Sequence, residues 1–336
     1  MTNSGGDDQV VDKPHDALFR WTFSDPERAR AELAAVLPPA LAAGVDWPTL
    51  ELVSVGSTDR MLKRFDVDLL YSVRLGTKPA FFYLLFEHQS SVDALMPLRL
   101  LGYLTRTLEW YAQKKGSGKA ALPLPLVIPL VLYHGEGGWS AATEFEALFD
   151  SELLADPAVA ALVPHFRFVL DDLSRLSDAE LERRGLDLVA ALTLWALRDS
   201  RRSLGRLRGS FTNWGSALDE LNLQGHPGEE ALRRIFGYIL QVNHELTPEA
   251  LRELLGRLKP ETQESIMTLA QQFKAEGRAE GRAEGERQLL LRQLALKFGP
   301  LPDAARQRID AATEDDLLAW SERVLTARAL EDVLGG

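Results

Sequence analysis

Two stretches of almost uninterrupted apolar residues constrain the fold of this chain more than any other feature. Residues 79–86 read PAFFYLLF, and residues 124–133 read LPLVIPLVLY. Runs this short and this apolar are typical of strands that are covered on both faces, as in the centre of a sheet flanked by helices. The prolines in the second run predict a strand at a sheet edge or one with a bulge. We therefore expect a mixed α/β domain built on one central sheet.

The residues before and between these runs predict the remaining elements of that domain. Asp25-Pro26 predicts the start of a helix that continues to about Val36, because Asp is a good N-cap and Pro suits the first helical turn. Strand patterns occupy residues 50–55 and 68–75, and apolar residues at helical spacing mark residues 93–115. The expected order is helix, three strands, helix, strand.

Beyond residue 140 the strand patterns fade, apart from a short candidate at 166–170. Residues 178–197, 228–243 and 247–258 are expected to be helical. We divide the chain into a disordered tail (1–12), a core (13–150), a helical extension (151–270), a glycine-repeat linker helix (271–286) and a small all-α C-terminal domain (287–336).

Composition and the cysteine count limit the classes of protein to consider. The chain has 336 residues, 46% of them hydrophobic and 26% charged, which suits a soluble protein with two domains. It has no cysteine, which excludes disulfides and thiolate metal sites and favours a reducing compartment. The polar, acidic start does not resemble a signal peptide, and the longest apolar run, 120–133, is shorter than the roughly 20 residues of a membrane span. We expect a cytoplasmic protein with no membrane partner.

The charge distribution is uneven. The net charge is −11, which argues against a surface coated in basic residues. Between residues 60 and 119, however, ten Lys and Arg stand against five Asp and Glu. A local basic excess is compatible with nucleic acid, but solvated charge on an ordinary helix would give the same count.

A four-residue repeat, AEGRAEGRAEGE, covers residues 275–286. Its glycines recur every four residues and so drift only about 40° per step around a helix. Small residues on one face allow two helix backbones to approach closely, which would suit a homo-oligomer. A solvated linker helix of marginal stability is the alternative that we favour, since each Gly costs about 1 kcal/mol of helix stability.

The candidate chemistry lies in the segment Asp68–Ser91. Asp68 opens one predicted strand and Glu87 closes the next, so a hairpin between them would bring the two carboxylates to one sheet edge. Mg²⁺ prefers such oxygen ligands, and the backbone carbonyl of His88 could add a third. Gln89 lies two residues after Glu87, on the same face of an extended backbone, and could hold a water molecule. Taken alone, D-x18-E-x-Q is a weak pattern, because paired carboxylates at strand ends are usually surface residues.

Several segments, in order, carry a resemblance to a known family: PHDALF (14–19), DLLYSV (68–73), FEHQSS (86–91), LRLLGYLTR (98–106) and VIPLVLYHG (127–135). Together they resemble the Rpn family of recombination-promoting nucleases, also named transposases, within the PD-(D/E)xK nuclease superfamily. The match covers roughly residues 13–200. The last fifty residues resemble a helical domain of unknown function that is often appended to such chains.

The resemblance implies a bacterial DNA endonuclease with an αβββαβ core, and with Mg²⁺, Mn²⁺ or Ca²⁺ as its cation. Asp68 matches the motif aspartate, Glu87 the acid of the E-x-K half, and Gln89 the position where the wider superfamily has lysine. Asp16, beside His15 in the opening motif, could reach the metal, although we favour the alternative that the two residues form a helix-capping or core hydrogen-bonding pair. Arg99 and Tyr103 lie four residues apart on one helix and could contact DNA phosphates, or serve a structural role.

Two functions from different classes remain open on the sequence. The first is a metal-dependent DNA endonuclease with little sequence specificity, because no base-reading helix or finger can be recognised. The second is a catalytically inactive nuclease-like fold that binds DNA or another protein. The acidic net charge and the neutral Gln89 favour the second, whereas the retained pair Asp68 and Glu87 favours the first.

Overall fold

A five-stranded mixed sheet forms the centre of the N-terminal part of the molecule. The computed structural model describes residues 14–53, 69–87, 92–116 and 118–335. The strands lie in the order in which they occur along the chain: β1 (Val45–Leu52), β2 (Leu69–Leu75), β3 (Lys78–Glu87), β4 (Leu126–Tyr133) and β5 (Val169–Asp172). The first three strands are antiparallel, whereas β3, β4 and β5 run parallel to one another. The expected mixed α/β class with one central sheet is confirmed.

Helices surround the sheet and fill the rest of the chain. Those preceding or inserted in the first four strands are α1 (Pro14–Phe23), α2 (Pro26–Val36), α3 (Pro39–Ala43) and α4 (Met96–Lys114). Those on either side of β5 are α5 (Ser151–Leu154), α6 (Pro157–Ala160), α7 (Asp178–Glu182), α8 (Leu188–Asp199), α9 (Leu204–Asn222), α10 (His226–Val242) and α11 (Pro248–Leu255). The last are α12 (Pro260–Phe298), α13 (Asp303–Asp310), α14 (Glu314–Thr326) and α15 (Leu330–Leu334). The order helix, three strands, helix, strand is observed.

Both faces of β3 are buried, as its apolar composition predicts. Phe81 lies on the face covered by α4, where its ring meets Trp110 edge-on at 6.0 Å. Its neighbour Phe82 points to the opposite face, because successive side chains of a strand alternate. Tyr71, the register partner of Phe82, donates its hydroxyl to the carbonyl of Phe23 on α1. The sheet is therefore covered by α4 on one face and by α1 on the other.

The prolines of β4 predicted an edge strand or a bulge. Among the described strands, β4 has the edge position only in its first part, and its register with β3 is regular. β4 pairs with β3 along its full length and with β5 only from Leu130 to Tyr133. Pro129 precedes the part that β5 covers, so its missing N–H costs no bond to β5. Sequence alone could not reveal that the neighbour on that side is only four residues long.

Two further boundaries differ from the sequence-based expectations. β1 begins at Val45 rather than 50, and its register with β2 shifts between Asp46 and Glu51, around Pro48. The helix expected over 178–197 is two helices, because Gly185 adopts a φ of +67° and Asp187 caps α8 through the backbone N–H of Ala190. A left-handed residue ends a helix and a new N-cap begins the next.

The chain divides into two compact units, and the boundary between them along the sequence lies between Ile266 and Met267. The sheet extends beyond residue 150, which the sequence analysis set as the end of the core, because β5 joins it. The borders at residues 270 and 286 both fall inside α12, and the tail 1–12 lies outside the described residues. The C-terminal unit has its own core, formed by Leu290 and Leu294 of α12 with residues of α13, α14 and α15.

Replacing Gly277, Gly281 and Gly285 by Ala is expected to stabilise α12. An added Cβ at each position meets no described atom within 4 Å outside the local helix backbone, so the change is sterically free. Each replacement should add about 1 kcal/mol of helix stability, which circular dichroism and thermal melting would detect. The molar mass by light scattering should not change. A lower molar mass of the triple variant would instead show that these glycines pack against a second copy.

Candidate functional site

The ends of the parallel strands meet at one edge of the sheet, which we call the Glu87 edge. Glu87, the last residue of β3, pairs with Tyr133, the last residue of β4. Tyr133 in turn pairs with Asp172, the last residue of β5. Since β2 is antiparallel to β3 and its first residue, Leu69, pairs with Leu84, β2 begins at this same edge. β3 thus lies between β2 and β4, and its last residue, Glu87, pairs with β4 three residues beyond Leu84, the partner of the first described residue of β2.

The other residues of the proposed catalytic set lie outside the described residues. These are Asp68, directly before β2, and His88 and Gln89, directly after β3. The meeting of Asp68 with Glu87 therefore stays a prediction. What the described backbone adds is that the start of β2 and the end of β3 share one edge of one sheet.

The first helix is tied to this edge through two histidines and a tyrosine. His134, which follows β4, is buried and donates its Nδ1 hydrogen to the carbonyl oxygen of Leu197 at 3.0 Å. Its ring centroid lies 5.1 Å from that of His15 on α1. The Nδ1 atom of His15 lies 2.8 Å from the hydroxyl oxygen of Tyr238 on α10. Burial raises the pKa of Tyr238 above its ordinary value, so this hydroxyl stays protonated.

Asp16 adjoins this group of rings in the first turn of α1. Its residue is only 3% exposed, which is unusual for an aspartate. A buried carboxylate in the first turn of α1 is compatible with the metal-ligand role proposed for it and with a core polar role. The metal-ligand role of Asp16 stays a prediction, because Asp68 and His88 lie outside the described residues.

Arg99 and Tyr103 both have structural partners on α4 and its surroundings. The guanidinium Nη1 of Arg99 lies 3.0 Å from Oδ2 of Asp93, at the start of α4. The ring of Tyr103 stacks on Tyr83 of β3 with centroids 5.2 Å apart, as part of the core on that face. These contacts support the structural alternative for both residues, and phosphate binding by them stays a prediction.

The sequence analysis missed a polar group that organises the Glu87 edge beside β4. Asp172 accepts hydrogen bonds from the backbone N–H of Trp139 at 2.8 Å and from the hydroxyl of Ser174 at 2.6 Å. Arg175 pairs with the same carboxylate at 3.1 Å and donates to the carbonyl of Trp139 at 2.9 Å. Together they fix the glycine-rich loop after β4. The sequence feature that could have indicated this polar group is Asp172, the aspartate that ends the short strand VLDD.

Among the described residues, no group of three or more His, Asp or Glu side chains is arranged to hold a metal ion. Two of the proposed donors, Asp68 and His88, are not among those residues. In the described part of the chain, every helix is too short or too polar to cross a bilayer.

Comparison with known proteins identifies the family. Residues 13–223 match the family described as "Putative transposase, YhgA-like". This chain belongs to that family. The match spans the whole five-stranded sheet and the helices to the end of α9, so the YhgA-like family unit includes every element of the Glu87 edge described above.

Relatives of this YhgA-like chain carry names that point to nucleases. It is 28% identical to recombination-promoting nuclease RpnA of Escherichia coli K12 over 310 residues, which covers 92% of this chain and 97% of RpnA. It is 29% identical to recombination-promoting nuclease RpnD of Escherichia coli O157:H7, covering 77% and 93% of the two chains. It is also 27% identical, over 80% and 84%, to RpnE of Escherichia coli K12, which is named an inactive recombination-promoting nuclease-like protein. No solved structure matches the chain. The resemblance to the Rpn family is confirmed.

Proposed function

We propose that this chain is a metal-dependent DNA endonuclease that cuts phosphodiester bonds with little sequence specificity and acts in recombination. The observation that carries this proposal is the position of Glu87 at the end of β3, an interior strand that lies between β2 and β4. An acid there is held by rigid backbone, which a metal site requires. The relatives named as nucleases support the same chemistry.

The order of elements supports assignment of the core to the PD-(D/E)xK superfamily. A helix, the meander β1–β2–β3, the helix α4 and the parallel strand β4 follow one another as in the αβββαβ core that the resemblance implies. In that assignment Asp68 is the motif aspartate, and Glu87 and Gln89 are the acid and the substituted lysine of the second half.

Mg²⁺, or Mn²⁺ or Ca²⁺ in its place, fits the chemistry of the proposed donors. The carboxylates of Asp68 and Glu87 and the carbonyl of His88 are all oxygen ligands, which hard cations prefer, and the chain has no thiolate. Asp16 is a further candidate from α1. When bound, such a cation would lower the pKa of a water molecule and neutralise charge on the scissile phosphate.

The remaining chemistry falls to residues of the chain itself. Gln89 would orient the attacking water through its amide, which can both accept and donate hydrogen bonds. Unlike the lysine of the wider superfamily, it adds no positive charge to the negatively charged transition state. A slower reaction than that of a lysine-containing site is therefore expected.

The second candidate function is an inactive, nuclease-like module that binds DNA or protein. The observation that favours it is the similarity to RpnE, whose name states that it is inactive. Gln89 and the net charge of −11 point the same way. Both functions use the same fold, so only an activity measurement separates them.

The decisive measurement is cleavage of supercoiled plasmid by the purified full-length chain. We expect nicked or linear product with Mg²⁺ or Mn²⁺ and none with EDTA, because the proposed hydrolysis needs the cation to activate water and to neutralise charge on the scissile phosphate. Absence of product with every divalent ion, from protein whose circular dichroism shows the folded state, would contradict the endonuclease and favour the inactive module.

A further inference from the structure

The turn between α8 and α9 carries the densest basic sequence near the Glu87 edge. Residues 198–208 read RDSRRSLGRLR and contain five arginines against one acid, in a chain whose net charge is −11. The basic excess noted at residues 60–119 is spread over sixty positions. The arginines of this turn are concentrated in eleven.

Hydrogen bonds to residues that follow β4 and β5 hold this turn beside the Glu87 edge. α8 ends at Asp199, and the carbonyl of Leu197 in its last turn accepts the hydrogen bond from His134, directly after β4. Arg202 donates from Nη2 to the carbonyl of Ser174 at 3.0 Å, directly after β5. The turn therefore contacts the residues that follow two of the three parallel strands whose ends form the edge.

A third element, the end of α10, also holds the backbone of the turn in place. Asn243, which caps the end of α10 and is buried, donates from Nδ2 to the carbonyls of Ser200 at 2.7 Å and Arg202 at 3.4 Å. Such backbone anchoring presents side chains in a defined position, which lowers the entropy lost on binding.

The one acid in this sequence is buried, and two of its arginines reach solvent. Asp199 is fully buried and pairs with Arg198, its sequence neighbour, at 2.5 Å. Arg206 has a side chain that is 55% exposed and lies 4.0 Å from Asp199, at the limit of an ion pair. Arg201 is exposed as well. Burial is the main cause that lowers the pKa of Arg202, and the positive charge of Arg206 lowers it further.

Arg175 extends this basic surface toward β5. Its side chain is 70% exposed, although it pairs with Asp172 at the end of that strand. Asp172 lies two strands from Glu87, a separation of about 10 Å at the usual spacing of neighbouring strands. Arginine at such positions suits phosphate, because its guanidinium donates two parallel hydrogen bonds to phosphate oxygens.

We infer that Arg201 and Arg206, with Arg175 beside them, bind the phosphate backbone of DNA and hold the duplex against the Glu87 edge. This inference rests on the proposed function, since it names the surface that would position the substrate of that site. It places a DNA contact at the turn after α8, in addition to the contact predicted for Arg99 and Tyr103 on α4. Phosphate contacts of this kind position the duplex without reading its sequence, in keeping with a nuclease of low specificity.

The test is DNA binding by the double variant Arg201→Glu/Arg206→Glu, measured as fluorescence anisotropy of a labelled duplex in EDTA. Removing two phosphate contacts should reduce the slope of log K against log salt by about 2 and weaken binding at least about tenfold at 0.1 M salt. The matched control is Arg167→Glu/Arg252→Glu. Both arginines are exposed, and Arg167 precedes β5, at the opposite end of that strand from Asp172. The control should bind as the wild type does.

The outcomes separate this inference from the proposed function. A wild type that cuts plasmid while both double variants bind DNA equally overturns the inference and leaves the nuclease intact. The inference is supported, and the nuclease proposal is contradicted, if the wild type binds DNA with a salt slope that falls in the Arg201→Glu/Arg206→Glu variant but never cuts plasmid. No binding of DNA by the wild type overturns the inference. If charge reversal unfolds the protein, Arg201→Gln/Arg206→Gln carries the same expectation for the salt slope.

Discussion

Glu87→Gln should reduce the rate of Mg²⁺-dependent plasmid cleavage by more than about a hundredfold. The substitution keeps the size of the side chain and removes the charge that would bind the cation. Loss of a residue that only supports a metal ligand typically costs 10- to 100-fold in metal affinity or activity, and loss of a ligand should cost more. Asp68→Asn is expected to have the same effect. The rates are measured from the conversion of supercoiled to nicked plasmid.

A control for this experiment lies on the neighbouring helix. Glu109 is an exposed acid on α4, so Glu109→Gln makes the same chemical change away from the Glu87 edge and should leave the rate unchanged. Titration with Mn²⁺, followed by calorimetry, adds a second readout, because Glu87→Gln should weaken binding of the cation itself. Wild-type rates in the Glu87→Gln and Asp68→Asn variants would show that the activity comes from another site or from a contaminant.

Elements whose signals are local could be predicted closely from the sequence. α2 begins at Pro26 after the cap Asp25 and ends at Val36, as the cap and the proline predict. β3 covers residues 78–87 against the predicted 79–86, because its composition alone demands burial on both faces. In each case the deciding interactions lie within the element or a few residues from it.

Features that depend on distant residues could not be predicted in this way. The short strand candidate at residues 166–170 overlaps β5, but its bounds, Val169–Asp172, depend on pairing with β4 and could not be predicted. The contact between His15 and Tyr238 joins residues 223 positions apart, and no spacing in the sequence indicates it. For the site, the sequence predicted that Glu87 ends a buried strand. It could not predict that the turn after α8 would lie beside that strand end, because the bond from His134 to Leu197 spans 63 residues.

Arg184→Ala should lower the free energy of unfolding by about 3–5 kcal/mol, because it leaves two buried acids, Glu32 and Asp171, without the guanidinium that pairs with both of them. The side chain of Arg184 is 10% exposed. It donates from Nη1 to Glu32 of α2 at 2.5 Å and from Nη2 to Asp171 of β5 at 2.6 Å. Without it, two carboxylates would face each other in the interior between α2 and the sheet. Urea unfolding followed by circular dichroism measures the change.

The loss of stability on Arg184→Ala should depend on pH, because the protonation of Glu32 changes with pH. Burial and the negative charge of Asp171 hold the pKa of Glu32 well above its ordinary value, and removal of Arg184 takes away the charge that opposes this shift. A carboxyl whose pKa is raised in the folded state favours folding at low pH, and that contribution is lost as the pH rises through the raised pKa. The destabilisation by Arg184→Ala is therefore expected to be smaller at pH 5 than at pH 8.

Two further variants identify the cause of the loss. Glu32→Gln in the Arg184→Ala background removes one of the two like charges, so it should recover part of the lost stability at pH 8, as residues of one network are coupled. Arg183→Ala alters the exposed neighbour, whose guanidinium donates to the helix carbonyl of Ala179, and should change stability by less than about 0.5 kcal/mol. A loss for Arg184→Ala as small as that for Arg183→Ala would mean that the two acids find other partners. The ion pairs of Arg184 with Glu32 and Asp171 would then not be responsible for holding α2 against β5.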